Sequence, residues 1–264
     1  MKIISNFNHC LKLAVSPLLL LILFLLPACN GPSSDAPIGT VLGRDQVNDA
    51  SKPLPNEAPP DTSNGNPNSG ENSSTRLGDS CHTSDPAHLC LSLKYVVYEN
   101  LQAKAIVSGQ EALQNLALIN KTWLQCNIGF EIGEYLSVDP QKYGLSFNTS
   151  SMSELSQIRS EFDDNSTLLV VTTGAWSGSL GAGAANAWTT MPGGGTYGAI
   201  LEEPVGNYPN IIAHELGHYL NLSHVSDTSD VMNPVIYQGS TQLTTNQCEM
   251  ARSAASYYWK TMLR

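Results

Sequence analysis

Residues 214–224 read His-Glu-Leu-Gly-His-Tyr-Leu-Asn-Leu-Ser-His. On a helix, His214 and His218 lie one turn apart on the same face, with Cβ atoms about 5–6 Å apart. From that spacing two imidazole nitrogens reach one zinc ion at about 2.0–2.1 Å. His224, six residues further on, offers a third nitrogen. Three protein ligands leave one position of a tetrahedral ion open, and an open position separates a catalytic zinc from a structural one. Glu215, beside the first ligand, is placed to hold and deprotonate a water without binding the metal. Helical histidine pairs also occur as buried core residues bonded to carbonyls, and two histidines with one glutamate leave both readings open. Three of the chain's six histidines within eleven residues decide for the metal.

The stretch resembles the metzincin signature HExxHxxGxxH, with Asn221 where that family usually has Gly. The family's Gly ends the helix in a left-handed turn that swings the third His to the metal, and Asn tolerates that backbone best after Gly. Ser229-Asp230-Val231-Met232-Asn233-Pro234 resembles the Met-turn, which lays an apolar, adaptable side chain under the ligands. Gly217 would leave room for that loop. Pro234 is the matrixin-like choice after the Met. Tyr237 resembles the residue that walls the primed-side pocket, one position later than the family pattern. Upstream, Ala184 to Trp188, Pro192 to Gly195 and Tyr197 to Glu203 resemble the matrixin loop and edge strand before the active-site helix.

The resemblance implies a zinc-dependent endopeptidase acting on proteins or peptides. Zinc on His214, His218 and His224 would polarise the scissile carbonyl and acidify its water. Glu215 would be the general base and then hand the proton to the leaving amine. The edge strand would bind an extended substrate as an added strand. Asn186 and Ile200 or Leu201 stand where the family has ligands of a structural zinc, which implies a single catalytic zinc. Glu202 and Glu203 leave a calcium site open. The alternative is a non-catalytic, surface-anchored pseudoprotease that binds zinc or peptide. The departure at Asn221 speaks for it, and the complete set of ligands and base speaks against it.

The chain begins with Lys2 and Lys12, followed by an almost wholly apolar run from Ala14 to Leu26, the pattern of a secretory signal. Leu26-Pro27-Ala28-Cys29 resembles a bacterial lipobox, which implies lipidation of Cys29 after removal of residues 1–28. An ordinary signal peptide ending in Cys is the other reading. Asn30 resembles the outer-membrane sorting choice. These features lead to a lipid-anchored location in the bacterial cell envelope, on the outer membrane. Of residues 30–78, 27 of 49 are Pro, Gly, Ser or Asn and none is aromatic. Such a stretch buries too little apolar surface to offset its ordering entropy, so residues 29–78 read as a disordered tether, with a propeptide role left open.

Residues 79–264 suffice for one domain. Strands are expected at Leu91 to Glu99, Ile128 to Val138, Leu168 to Thr173 and near Tyr197 to Glu202. Helices are expected at Ser108 to Gln125, with Leu113, Leu116, Ala117, Ile119 and Trp123 inward, and at Tyr208 to Leu222, the metal helix. A last helix is expected at Thr245 to Leu263, with Met250, Ala254, Tyr257 and Tyr258 on or near one face. With the resemblance, this order gives an α+β metzincin-like fold. Its twisted mixed sheet has about five strands, with an antiparallel edge strand over the cleft.

Cys81, Cys90, Cys126 and Cys248 are even in number in an exported domain, which favours disulfides. Four cysteines allow three pairings. The expected one is Cys81–Cys90, a local loop, with Cys126–Cys248 joining the first helix to the last. Nothing matches the matrixin cysteine-switch motif. From Asp79 on there are 8 Lys and Arg against 17 Asp and Glu, net −9, so no basic patch invites nucleic acid. A monomer is expected.

Overall fold

A computed structural model of the chain describes residues 39–41, 75–77, 81, 83–182, 185–203 and 205–264. Cys29, the apolar run before it and most of the expected tether lie outside these residues. The elements are β1 (Gly39–Val41), β2 (Thr75–Leu77), β3 (Leu89–Tyr98), α1 (Gly109–Trp123), β4 (Ile128–Val138) and α2 (Met152–Phe162). There follow β5 (Leu168–Thr173), the single turn α3 (Gly178–Gly181), β6 (Ala185–Thr189), β7 (Ala199–Glu202), α4 (Pro209–Tyr219) and α5 (Thr245–Tyr258).

One sheet runs β1-β6-β7-β5-β3-β4-β2. Its middle strands β7, β5, β3 and β4 are parallel, and β6 lies antiparallel on β7. Those five form the expected mixed sheet with its antiparallel edge strand. All six residues of β5 are buried, because parallel neighbours flank it and helices cover both of its faces. Alternation along β3 divides the core. Leu91, Leu93, Tyr95 and Val97 face α1 and α4, while Val96 and Tyr98 face α2 through Leu155, Ile158 and Phe162.

Three expectations need correction. The expected tether is not wholly without structure, since Gly39–Val41 pairs antiparallel with β6 and Thr75–Leu77 with β4. Each triplet takes up the unpaired backbone groups of a sheet edge, a partner that composition does not reveal. On α1 the inward stripe is Ala112, Leu116, Ile119 and Trp123, while Leu113 and Ala117 are exposed. On α5 the inward stripe is Ala251, Ala254 and Ala255, with Met250, Tyr257 and Tyr258 outside. The Cys126–Cys248 bond brings the backbones within 4.7 Å at their Cα atoms, so small residues must line that contact. In addition, α2 stands outside the expected elements. Its signal is Ser151, whose hydroxyl accepts from the Glu154 N–H three residues on.

Both expected disulfides, Cys81–Cys90 and Cys126–Cys248, are present.

Candidate metal centre

Pro209 opens α4 at a position where a missing N–H costs nothing, and Ile211 to Tyr219 are all buried. His214 and His218 therefore face a closed interior. The Nδ1 of His214 lies 2.6 Å from the Val231 carbonyl, and that of His218 lies 2.9 Å from the Leu222 carbonyl. A carbonyl can only accept, so each Nδ1 carries the proton and each Nε2 presents a bare lone pair. The Nε2 of His224 is 3.2 Å from both of those nitrogens. Three nitrogens bound to one zinc at about 2.0–2.1 Å form the edges of a tetrahedron roughly 3.3 Å long. Among the described residues this is the one cluster of three side chains at metal-ligand spacing. Lone pairs facing one another at this distance repel, and a cation between them removes that cost. The residues present fit zinc.

Burial pushes all three imidazoles toward the neutral form that binds metal. His214 is held well below its ordinary range by burial, then by His218, against the bond to Val231. Burial takes His218 to about 4, and burial with the nearby His218 takes His224 to about 4.

The backbone that delivers His224 is a left-handed turn. Asn221 has φ +63°, its N–H donates to the His218 carbonyl, and the Leu222 N–H reaches back 2.9 Å to the Gly217 carbonyl. Those bonds satisfy the last carbonyls of α4 and reverse the chain. Below the histidines Met232 is fully buried, and a Cβ at Gly217 would run into its sulfur. Asp230 shapes that loop, since its Oδ1 accepts from the Met232 N–H at 2.7 Å and from the Gln247 side chain at 3.1 Å. The loop also carries the Val231 carbonyl that orients His214.

Glu215 is fully buried on the same helix. The Thr189 hydroxyl, at the end of β6, donates to its Oε2 at 2.5 Å. Pro234 is half-buried, and Tyr237 is 38 % exposed with its carbonyl accepting from Asn210 at the start of α4.

The acidic pair does not form a calcium site. Glu202 is buried, its Oε1 accepts from the Trp176 N–H at 2.7 Å, and its Oε2 accepts from the Asn186 side chain. Both oxygens are spent on holding β7, β6 and the loop after β5 together, while Glu203 points out to solvent. A hollow lined by Ile106, Val107, Thr172, Glu203, Asn207 and Tyr208 lies at the N-terminal end of α4.

Reading the sequence alone missed Thr189, Asp230 and Arg159. Asp230 had a signal, an Asp two residues before a turn N–H. Thr189 and Arg159 had none, because their partners are distant in sequence.

The family pattern of the matrixins, Peptidase M10, matches residues 121–254. Among solved structures the chain resembles the crystal structure of metalloproteinase-II from Bacteroides fragilis. The identity is 13 % and the TM-score 0.45, over 66 % of this chain and 55 % of that one. The chain thus spans little more than half the length of that protein. None of the curated proteins matches it.

Proposed function

The chain belongs to the matrixin family of zinc metalloproteases, and from that premise we propose that it is a membrane-anchored endopeptidase in which Glu215 is the general base. The observation that carries this is the convergence of three neutral imidazoles, His214 and His218 buried and His224 half-buried, beside the buried carboxylate of Glu215. When bound, zinc supplies a Lewis acid for the scissile carbonyl and acidifies a water.

The chain's own residues do the rest. His214, His218 and His224 hold the ion, and the Val231 and Leu222 carbonyls fix the ring orientations. Such outer partners keep the ligand nitrogens aimed. Glu215 takes the water's proton and returns it to the departing amine. An extended peptide pairs with β6, where it takes the place of Gly39–Val41. Pro234 and Tyr237, on the loop after Met232, would face the residue following the cut.

The lipobox-like Leu26 to Cys29 supports a lipid anchor at Cys29, which would keep the protease on the bacterial outer membrane. Replacing Cys29 by Ser should move the protein from the membrane to the soluble fraction. Glu215→Gln should retain zinc and lose at least about 100-fold in peptide hydrolysis, the usual contribution of a general base. A zinc-loaded Glu215→Gln protein that still cleaves a mixed peptide library would overturn this reading. So would a zinc-loaded wild type that cleaves nothing, which is the behaviour of a pseudoprotease.

A further inference from the structure

Burying a carboxylate is costly unless a donor meets it, and Glu215 is fully buried. The donor on its Oε2 is the hydroxyl of Thr189, from the last residue of β6. Thr189 is itself 1 % exposed and pairs across to Ala199 of β7.

The end of β6 is also fastened from behind. Arg159, on α2, is 3 % exposed and sends Nη2 to the Trp188 carbonyl at 2.8 Å and Nε to the Gly198 carbonyl at 2.9 Å. Trp188 and Gly198 are the residues next to Thr189 and Ala199, so one guanidinium clasps both feet of the 190–198 loop. Gly198 leaves room for that clasp, because a Cβ there would sit 2.8 Å from Arg159 Cγ. The loop beyond carries positive φ at Gly193 and Gly195 and can adapt, but its base cannot.

We propose that Thr189 is the positioning residue of the general base. Its hydroxyl holds Glu215 Oε2 and turns the other oxygen to the metal side, in register with the strand on which the substrate lies. β6 then has two tasks in one rigid piece. Its outer edge sets where the peptide bond lies, and its last side chain sets where the proton acceptor lies. Each is fixed relative to the other through Arg159. This rests on the hydrolytic reading above. A base displaced by about 1 Å costs on the order of 100-fold in rate while leaving peptide binding alone.

The test compares Thr189→Val, which keeps the shape and removes the donor, with Thr189→Ser, which keeps the donor. Both are made in the full, zinc-loaded chain and assayed with a fluorescence-quenched peptide cleaved by the wild type. Thr189→Val is expected to lower kcat about 10- to 100-fold with KM within about twofold, at unchanged zinc content. Thr189→Ser is expected to recover kcat to within about threefold of wild type. A crystal structure of zinc-loaded Thr189→Val should show the Glu215 carboxylate in a different position. Thr189→Ala carries the same expectations should Val fail to pack.

Wild-type kcat in the donor-less variants, or a loss confined to KM or to zinc content, would overturn the assignment. If Glu215→Gln is dead while Thr189→Val is fully active, the role of Thr189 falls and the hydrolytic reading stands. If the zinc-loaded wild type is inactive, the hydrolytic reading falls, and the carboxylate position in Thr189→Val alone decides on Thr189.

Discussion

The helices α4 and α5 have similar lengths, 11 and 14 residues, and are built on opposite logic. α5 begins with a complete capping box, in which Thr244 accepts from Gln247 and Gln247 reaches back to Thr244. It buries a narrow alanine stripe and leaves Tyr257 80 % exposed. α4 has no side-chain cap, is buried on every side from Ile211 to Tyr219, and carries Gly217 in its interior. An interior Gly weakens a helix by about 1 kcal/mol relative to Ala. α5 is therefore specified by its own sequence, whereas α4 is a helix because its surroundings allow nothing else. The helix that carries His214, Glu215 and His218 is the one that departs from local rules, and packing supplies what those rules do not.

Three experiments probe that contrast, beginning with the greatest effect. Gly217→Ala should improve α4 as an isolated helix and still destabilise the protein, because the new Cβ meets the Met232 sulfur with Trp123 behind. Overpacking of this kind costs about 1–3 kcal/mol, to be read from the urea midpoint. Zinc affinity should fall with it, since the displaced loop carries the carbonyl that orients His214. An unchanged midpoint would show that α4 is not fixed by its packing.

The second experiment is a pH series on chelator-treated protein. In the unfolded chain a histidine titrates near 6.5, whereas His218 and His224 are held to about 4 in the fold, and His214 is lowered as well. As pH falls below 6.5 the unfolded chain gains protons that the folded site refuses. The stability contributed by the neutral histidines is therefore complete above 6.5 and lost progressively toward about 4. The melting temperature should follow that window, and a flat profile between pH 6.5 and 4 would contradict the buried, neutral site.

The third experiment is Thr244→Ala. It removes the cap of α5 and should cost about 1 kcal/mol in chemical denaturation, with zinc content and hydrolysis unchanged. Lost zinc in that variant would mean that α5 is coupled to the site more closely than its exposed face suggests.

The same contrast explains what could be read from the sequence. β5 begins and ends where its run of apolar and β-branched residues does, because its burial is written into consecutive residues. The three histidines and Glu215 were legible because metal spacing is local to one helix and its turn. Asn221 at φ +63° was legible for the same reason. The triplets β1 and β2 were not, since three residues among Pro, Asn and Ser acquire a strand only from the edge they meet. On α1, Leu116, Ile119 and Trp123 face inward as expected and Leu113 and Ala117 do not, while on α5 hydrophobicity alone does not say which stripe a disulfide draws close. Thr189 escaped because the Thr189–Glu215 contact spans 26 residues and crosses from sheet to helix.

The bond between Cys126 and Cys248 spans 122 positions and makes the segment between them a covalent ring. All three histidines, Glu215, Thr189 and Met232 lie inside it. One proteolytic cut within that ring opens the chain yet releases no fragment. Every part of the site stays tethered to every other. For this domain a nick becomes a change of connectivity and not a loss of mass.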